Sequence, residues 1–138
     1  MPLTYIELQC IVLLRKGGSP VVIIDKDLVA ASSTPLVLAI LKEGESYGYA
    51  IIKRVGELSS GELEWTDGML YPLLHRLERN GLVKAVWGQS ETGRRRKYYR
   101  LTEAGVEQLN RQRRQWQVVD QAMRGILRMA MAPAWRPG

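Results

Sequence analysis

Apolar positions recur with a helical period from Ser33 to Arg79, then fall into short strand-like runs, then return to a helical period that lasts almost to the end of the chain. Ser32-Ser33-Thr34-Pro35 predicts a helix start, with hydroxyls able to cap free N–H groups and a proline early enough for its missing donor not to matter. Leu36, Leu38, Ile40 and Leu41 follow, apolar on most sides, so this first helix should be buried; Gly44 should end it. Ser46 is placed to cap a second helix, where Tyr47, Ile51 and Val55 recur every fourth residue and Lys53, Arg54 and Glu57 lie off that stripe. Ser59-Ser60-Gly61 is a turn, and Trp65 leads into a third helix from Thr66 to Arg79 with Leu70, Leu74 and Leu77 along one side. Pro72 should remove a hydrogen bond and bend that helix. The leucines keep one phase across it, which predicts a single helix.

Asn80-Gly81 breaks the helical period. An apolar stretch from Leu82 to Trp87, a turn over Gly88 to Gly93, and a return as Arg94-Arg95-Arg96-Lys97-Tyr98-Tyr99 then predict a hairpin with a basic tip. Helix, strand, basic loop, strand is the order of a winged helix-turn-helix, in which the helix enters a DNA groove and the hairpin lies along the backbone. Thr102 can cap a fourth, long helix, with Glu103 in its first turn, where negative charge suits the dipole. Leu109, Trp116, Met123 and Ala130 repeat every seven residues, and Gln112, Val119 and Ile126 lie three residues after the first three, an a/d seam. So small a domain cannot bury such a stripe, and pairing with a second copy would. Pro133 should stop the helix, leaving Trp135 to Gly138 as a frayed tail.

Before Ser33 the pattern is ambiguous. Ile6, Leu8, Ile11 to Leu14 and Val21 to Ile24 allow two short strands around Gly17-Gly18-Ser19-Pro20, or a loosely packed extension. The expected fold is mainly α with a small β-hairpin: an extension over 1–26, a winged helix over 27–102, a dimerisation helix over 103–132 and a tail over 133–138.

Charge sharpens this picture. The formal net charge is +6 over 138 residues, and between Asp67 and Arg114 there are eleven Lys or Arg against five Asp or Glu, so the whole excess lies in the third helix, the hairpin and the start of the fourth helix. Concentrated positive charge beside a groove-sized helix favours a polyanion. Cys10 is the only cysteine, which leaves no disulfide or multi-cysteine metal site within one chain and points to a reducing cytoplasm. The run Cys10 to Leu14 is too short to span a bilayer, and Arg15-Lys16 follows it, against the order of a signal peptide, so neither export nor a membrane anchor is expected. Catalysis finds no support: His75 is the only histidine, and no phosphate-cradling glycine loop or metal-ligand cluster is present, so no cofactor is expected.

With these elements in place, the chain resembles the PadR family of bacterial transcriptional regulators. The resemblance rests on Thr34 to Leu41, Tyr47-Gly48-Tyr49, Gly68-Met69-Leu70-Tyr71-Pro72-Leu73-Leu74-His75-Arg76-Leu77-Glu78, Gly81-Leu82-Val83, and Gly93 to Thr102, blocks in the family's order. It runs from about Asp25 to Leu127, and the family's recognition helix resembles this one in carrying Tyr-Pro inside it. Met69 departs from the family, where a small hydroxyl residue is frequent. The length after the hairpin resembles the short subgroup with one C-terminal helix.

If Leu70, Leu74 and Leu77 are the buried line, Gly68, His75 and Arg79 lie roughly opposite, with Tyr71 and Arg76 on the flanks and Thr66 at the helix start. These are the candidate DNA contacts, Tyr71 to a phosphate or sugar, His75 and Arg76 to base edges or phosphates. The bland alternative is a solvated helix face. On the hairpin, Arg94 and Arg95 are the candidate phosphate contacts and Lys97 a weaker one, against the alternative of a solvated charge run. Strand alternation should separate Arg96 and Tyr98 from Lys97 and Tyr99, so that one of the two sets faces the core side. Leu109, Trp116, Val119, Met123 and Ile126 are the candidate dimer contacts. The resemblance further implies that Trp116 could contact a planar aromatic effector between two subunits, although a large aromatic in an interface usually only packs. Two functions follow: a homodimeric repressor on double-stranded DNA, released by a small apolar or aromatic effector, or an interaction module docking an acidic protein partner on its basic face.

Overall fold

One core organises the described part of the chain, residues 13–14 and 20–131 of the computed structural model. At its N-terminal edge β1 (Leu13–Leu14) and β2 (Pro20–Val21) form a two-residue antiparallel ladder, Leu13 opposite Val21. Pro20 therefore belongs to a strand rather than to the expected turn, and Val22 to Ile24 lie outside the ladder, with the Val22 N–H donating to Glu62 Oε2 at 3.4 Å. The expectations for Ile6, Leu8, Cys10, Gly17 to Ser19, Pro133 and the tail fall outside the described residues.

Helix α1 (Lys26–Glu43) corrects the expected start near Ser33: it begins after Asp25 and carries Pro35 inside it. The hydroxyls of Ser32 and Ser33 do not cap N–H groups but donate to carbonyls behind them, Ser32 to Leu28 at 2.7 Å and Ser33 to Ala30 at 2.9 Å. An interior proline costs about 3 kcal/mol. Burial of Val37, Leu38, Ile40 and Leu41 contributes about 1.5–3 kcal/mol for each side chain, so packing outweighs the break. The carbonyl deprived of a donor is that of Ala31, an exposed residue that water can serve.

Helix α2 (Gly48–Leu58) buries Gly48, Ile51 and Val55. Here too the expected cap is corrected. Tyr47 is the N-cap, without a side-chain hydrogen bond, and Ser46 instead exchanges backbone bonds with Tyr99, at 3.0 and 2.7 Å. Helix α3 (Asp67–Arg79) is a single helix through Pro72, and Thr66 Oγ1 accepts the Met69 N–H at 3.3 Å as its cap. It buries Leu70, Leu73, Leu74 and Leu77, one leucine more than the sequence line.

The hairpin is longer than its pattern suggested. Strand β3 (Val83–Gln89) pairs antiparallel with β4 (Arg95–Leu101), Trp87 opposite Lys97, and Ser46 bridges to the outer side of β4. Gly88 is thus a strand residue, and the turn is confined to 90–94. Helix α4 (Glu103–Met131) starts as expected: Thr102 Oγ1 accepts the Gly105 N–H at 3.0 Å and donates to Gly81 O at 2.7 Å, pinning the helix start to the base of the hairpin. Side chains of α1, α2, α3, Trp65, Val83 and Tyr99 form one apolar cluster.

Candidate nucleic-acid interface

With its leucines buried, α3 leaves exposed Gly68, His75 and Arg79, which helical geometry put opposite the leucine line, together with Tyr71 and Arg76 on the flanks and Thr66 at the helix start. Met69 turns the other way and packs on the core. Tyr71 is 38% exposed, and its phenol lies against Gly48 at the start of α2.

The hairpin has two faces, as strand alternation requires. On one, Val83, Ala85, Tyr99 and Leu101 meet the core, and beyond them the Arg95 guanidinium lies 4.3 Å over the exposed Trp87 ring. Lys97 is on the same face, with its Nζ 4.0 Å from Glu78 Oε1 and 5.4 Å from the Tyr99 ring centre. On the other face Arg96 lies 3.8 Å over Tyr47, and the Tyr98 ring meets Tyr47 edge-on at 5.6 Å. The basic run therefore separates: Arg94 and Arg95 stay exposed, whereas Arg96 and Lys97 are half-buried against aromatic rings. Sequence reasoning missed Tyr47 in this role, because its spacing with Ile51 and Val55 placed it on a helix stripe.

The tip itself is closed by hydrogen bonds. Ser90 N–H donates to Arg94 O at 2.8 Å, Gly93 N–H donates to Ser90 O at 2.9 Å, and the Arg94 N–H donates to Ser90 Oγ at 3.2 Å. Gly93 has φ +82°, a left-handed conformation that glycine adopts without strain. Among the described residues, Arg76, Arg79, Arg94 and Arg95 have no carboxylate in ion-pair contact, and Glu78 is engaged by Lys97. Away from this face Arg54 grips Glu43 with two hydrogen bonds, 2.9 and 3.1 Å, and holds its carboxyl below the usual carboxylate range. Tyr99 is 1% exposed; burial raises its pKa, the nearby Lys97 offsets that only in part, and no hydrogen-bond partner reaches Oη.

The seven-residue seam on α4 divides in two. Leu109 packs on the core of its own chain, and Trp116, half-buried, lines a groove of about 680 Å³ between α1 and α4 with Pro35, Leu36, Ala39 and Arg113. Farther along, Val119, Met123 and Ile126 are exposed together with Val118 and Leu127. Among the described residues no group of three or more His, Cys, Asp or Glu could hold a metal ion, and no helix is long and apolar enough to cross a membrane.

Two helices, the second exposing a polar and basic face, followed by a two-stranded hairpin packed beside it, define a winged-helix DNA-binding fold. Residues 37–111 match the model of the PadR-like family of transcriptional regulators, and the chain belongs to that family. Solved structures agree. A PadR-like transcriptional regulator from Bacillus cereus superposes with a TM-score of 0.67 at 26% identity, over 74% of this chain and 97% of that one. A PadR family regulator from Clostridium difficile gives 0.62 at 34% identity, over 70% and 98%. Among curated relatives, an uncharacterised Lysinibacillus sphaericus protein is 26% identical over 72% of this chain and 95% of its own length. The Escherichia coli transcriptional regulator YqjI is 29% identical over 64% of this chain, but the match spans only 41% of that longer protein.

Proposed function

We propose that this PadR-like regulator is a cytoplasmic homodimeric repressor. Helix α3 enters the major groove of double-stranded DNA, with His75 and Arg76 at base edges and Thr66, Gly68, Tyr71 and Arg79 along the flanking backbone, while Arg94 and Arg95 grip phosphates beside it. Lys97 assists from the inner face of the wing. The observation that carries this reading is that Arg76 and Arg79 on α3, and Arg94 and Arg95 on the wing, are exposed without a carboxylate partner among the described residues. Cations left unpaired on a groove-sized surface are what a phosphate backbone neutralises.

Residues 27–102 serve as the DNA-binding part and 103–132 as the dimerisation helix. The exposed stripe of Val119, Met123 and Ile126 supports pairing, since a helix of 29 residues with an apolar outer half is otherwise left bare. Trp116 beside its apolar groove is the candidate contact for a small apolar or aromatic effector that releases the repressor. The deciding experiment is a titration of the chain against selected and unrelated duplexes at several salt concentrations. A regulator prefers one sequence at fixed salt and also loses affinity steeply as salt rises; equal affinity for all duplexes would defeat the reading.

A further inference from the structure

Gly48 opens α2 in a helical conformation, outside the left-handed region that would call for glycine. Helix propensity alone would favour alanine there. What uses the missing side chain is a contact from another helix. A Cβ built on Gly48 would overlap Tyr71 Oη and stand 2.8 Å from its Cζ and 3.4 Å from Cε1, so the phenol occupies the space a methyl group would need. The residue is buried, and the three atoms nearest to that space all belong to Tyr71.

We propose that the Tyr71 ring seated on Gly48 is the joint that sets where α3 stands relative to α2, which makes Gly48 a positioning residue for DNA recognition although it touches no DNA. The inference rests on the reading of α3 as the recognition helix. Tyr71 lies on the exposed side of that helix, with Gly68 one turn before it and His75 one turn after. Any shift of the α3 backbone that accommodates the ring is shared with those neighbours. The leucines that pack α3 from below are buried in the core, while the partly exposed Tyr71 side chain can swing only away from the Gly48 main chain, so the ring limits how closely α3 approaches the start of α2. The contact therefore holds the height of the helix while the leucines supply most of the burial.

A two-by-two set of chains tests this: wild type, Gly48→Ala, Tyr71→Ala and the double variant. Each is measured for thermal midpoint and for affinity to two probes at one salt concentration, a duplex selected by the wild-type chain from a random pool and an unrelated duplex. Gly48→Ala is expected to weaken binding to the selected duplex roughly ten-fold and to lower the midpoint. The unrelated duplex, held chiefly through phosphates, should change much less. Once Tyr71 is alanine, the same change at Gly48 should leave both affinities as they were and leave or raise the midpoint. A Gly48→Ala chain that folds only when Tyr71 is also replaced supports the joint just as directly. An equal loss in both backgrounds, or failure to fold in both, overturns it. If the wild-type chain selects no preferred duplex, the DNA reading itself is defeated and the positioning role with it, while the midpoints still report whether the two residues are coupled.

Discussion

Tyr99 carries a polar group at odds with its buried setting. Its ring completes the core beneath the wing, yet the hydroxyl is buried without a partner, an arrangement that costs about 1–3 kcal/mol. Tyr99→Phe keeps the ring and removes the orphan oxygen, so stability at pH 7 should stay level or rise by about 1 kcal/mol. Urea unfolding would reveal it, and a decrease of that size would mean that Oη has a partner after all. The pH dependence has a defined sign. Burial raises the folded pKa above the ordinary tyrosine value of about 10, so the contribution is complete below that pH and lost as pH rises through the folded pKa. The gap between variant and wild type should therefore widen in favour of phenylalanine above about pH 10.

At the scale of the element, the wing distributes its charges by strand alternation. Arg96 and Lys97 lie on opposite faces and are each held against a tyrosine ring, with Lys97 also near Glu78, which leaves Arg94 and Arg95 as the exposed pair. Arg94→Ala with Arg95→Ala should weaken binding to selected and unrelated duplexes by similar factors. It should also reduce the slope of log affinity against log salt by roughly 2, about one unit for each phosphate no longer neutralised. A weakening confined to the selected duplex would mean that these arginines read bases. For His75→Ala the expectation is reversed: discrimination falls while binding to unrelated duplexes holds, as a repeated binding-site selection would register.

For the whole molecule, the test lies on α4. Val119 is half-exposed in the single chain, so Val119→Asp should leave the midpoint of the domain nearly unchanged. In a two-fold pair, two carboxylates would meet in an apolar seam, a penalty on the order of several kcal/mol. Sedimentation at micromolar concentration should then find monomer. Affinity for a selected duplex should fall much more than two-fold, because the second half-site is no longer reached almost intramolecularly. A variant that remains dimeric and binds normally would place the interface elsewhere.

Local periodicity determined the third helix, its cap at Thr66, the start of the fourth helix at Thr102, the hairpin, and the exposed face from Gly68 to Arg79. Each depends on contacts within a few residues or on a repeat that one buried face enforces, and such signals are complete in the sequence. The matched blocks identified the family for the same reason. The start of the first helix was not legible, because the serines and Pro35 carry the local marks of a helix start and only burial of Val37 to Leu41 overrides them. Nor were the roles of Tyr47, Gly48, Arg96 and Lys97. Their partners Tyr98, Tyr71 and Glu78 come from other elements, and whether an aromatic stacks on a cation or a phenol on a glycine is decided by how those elements pack, which no spacing along one chain encodes.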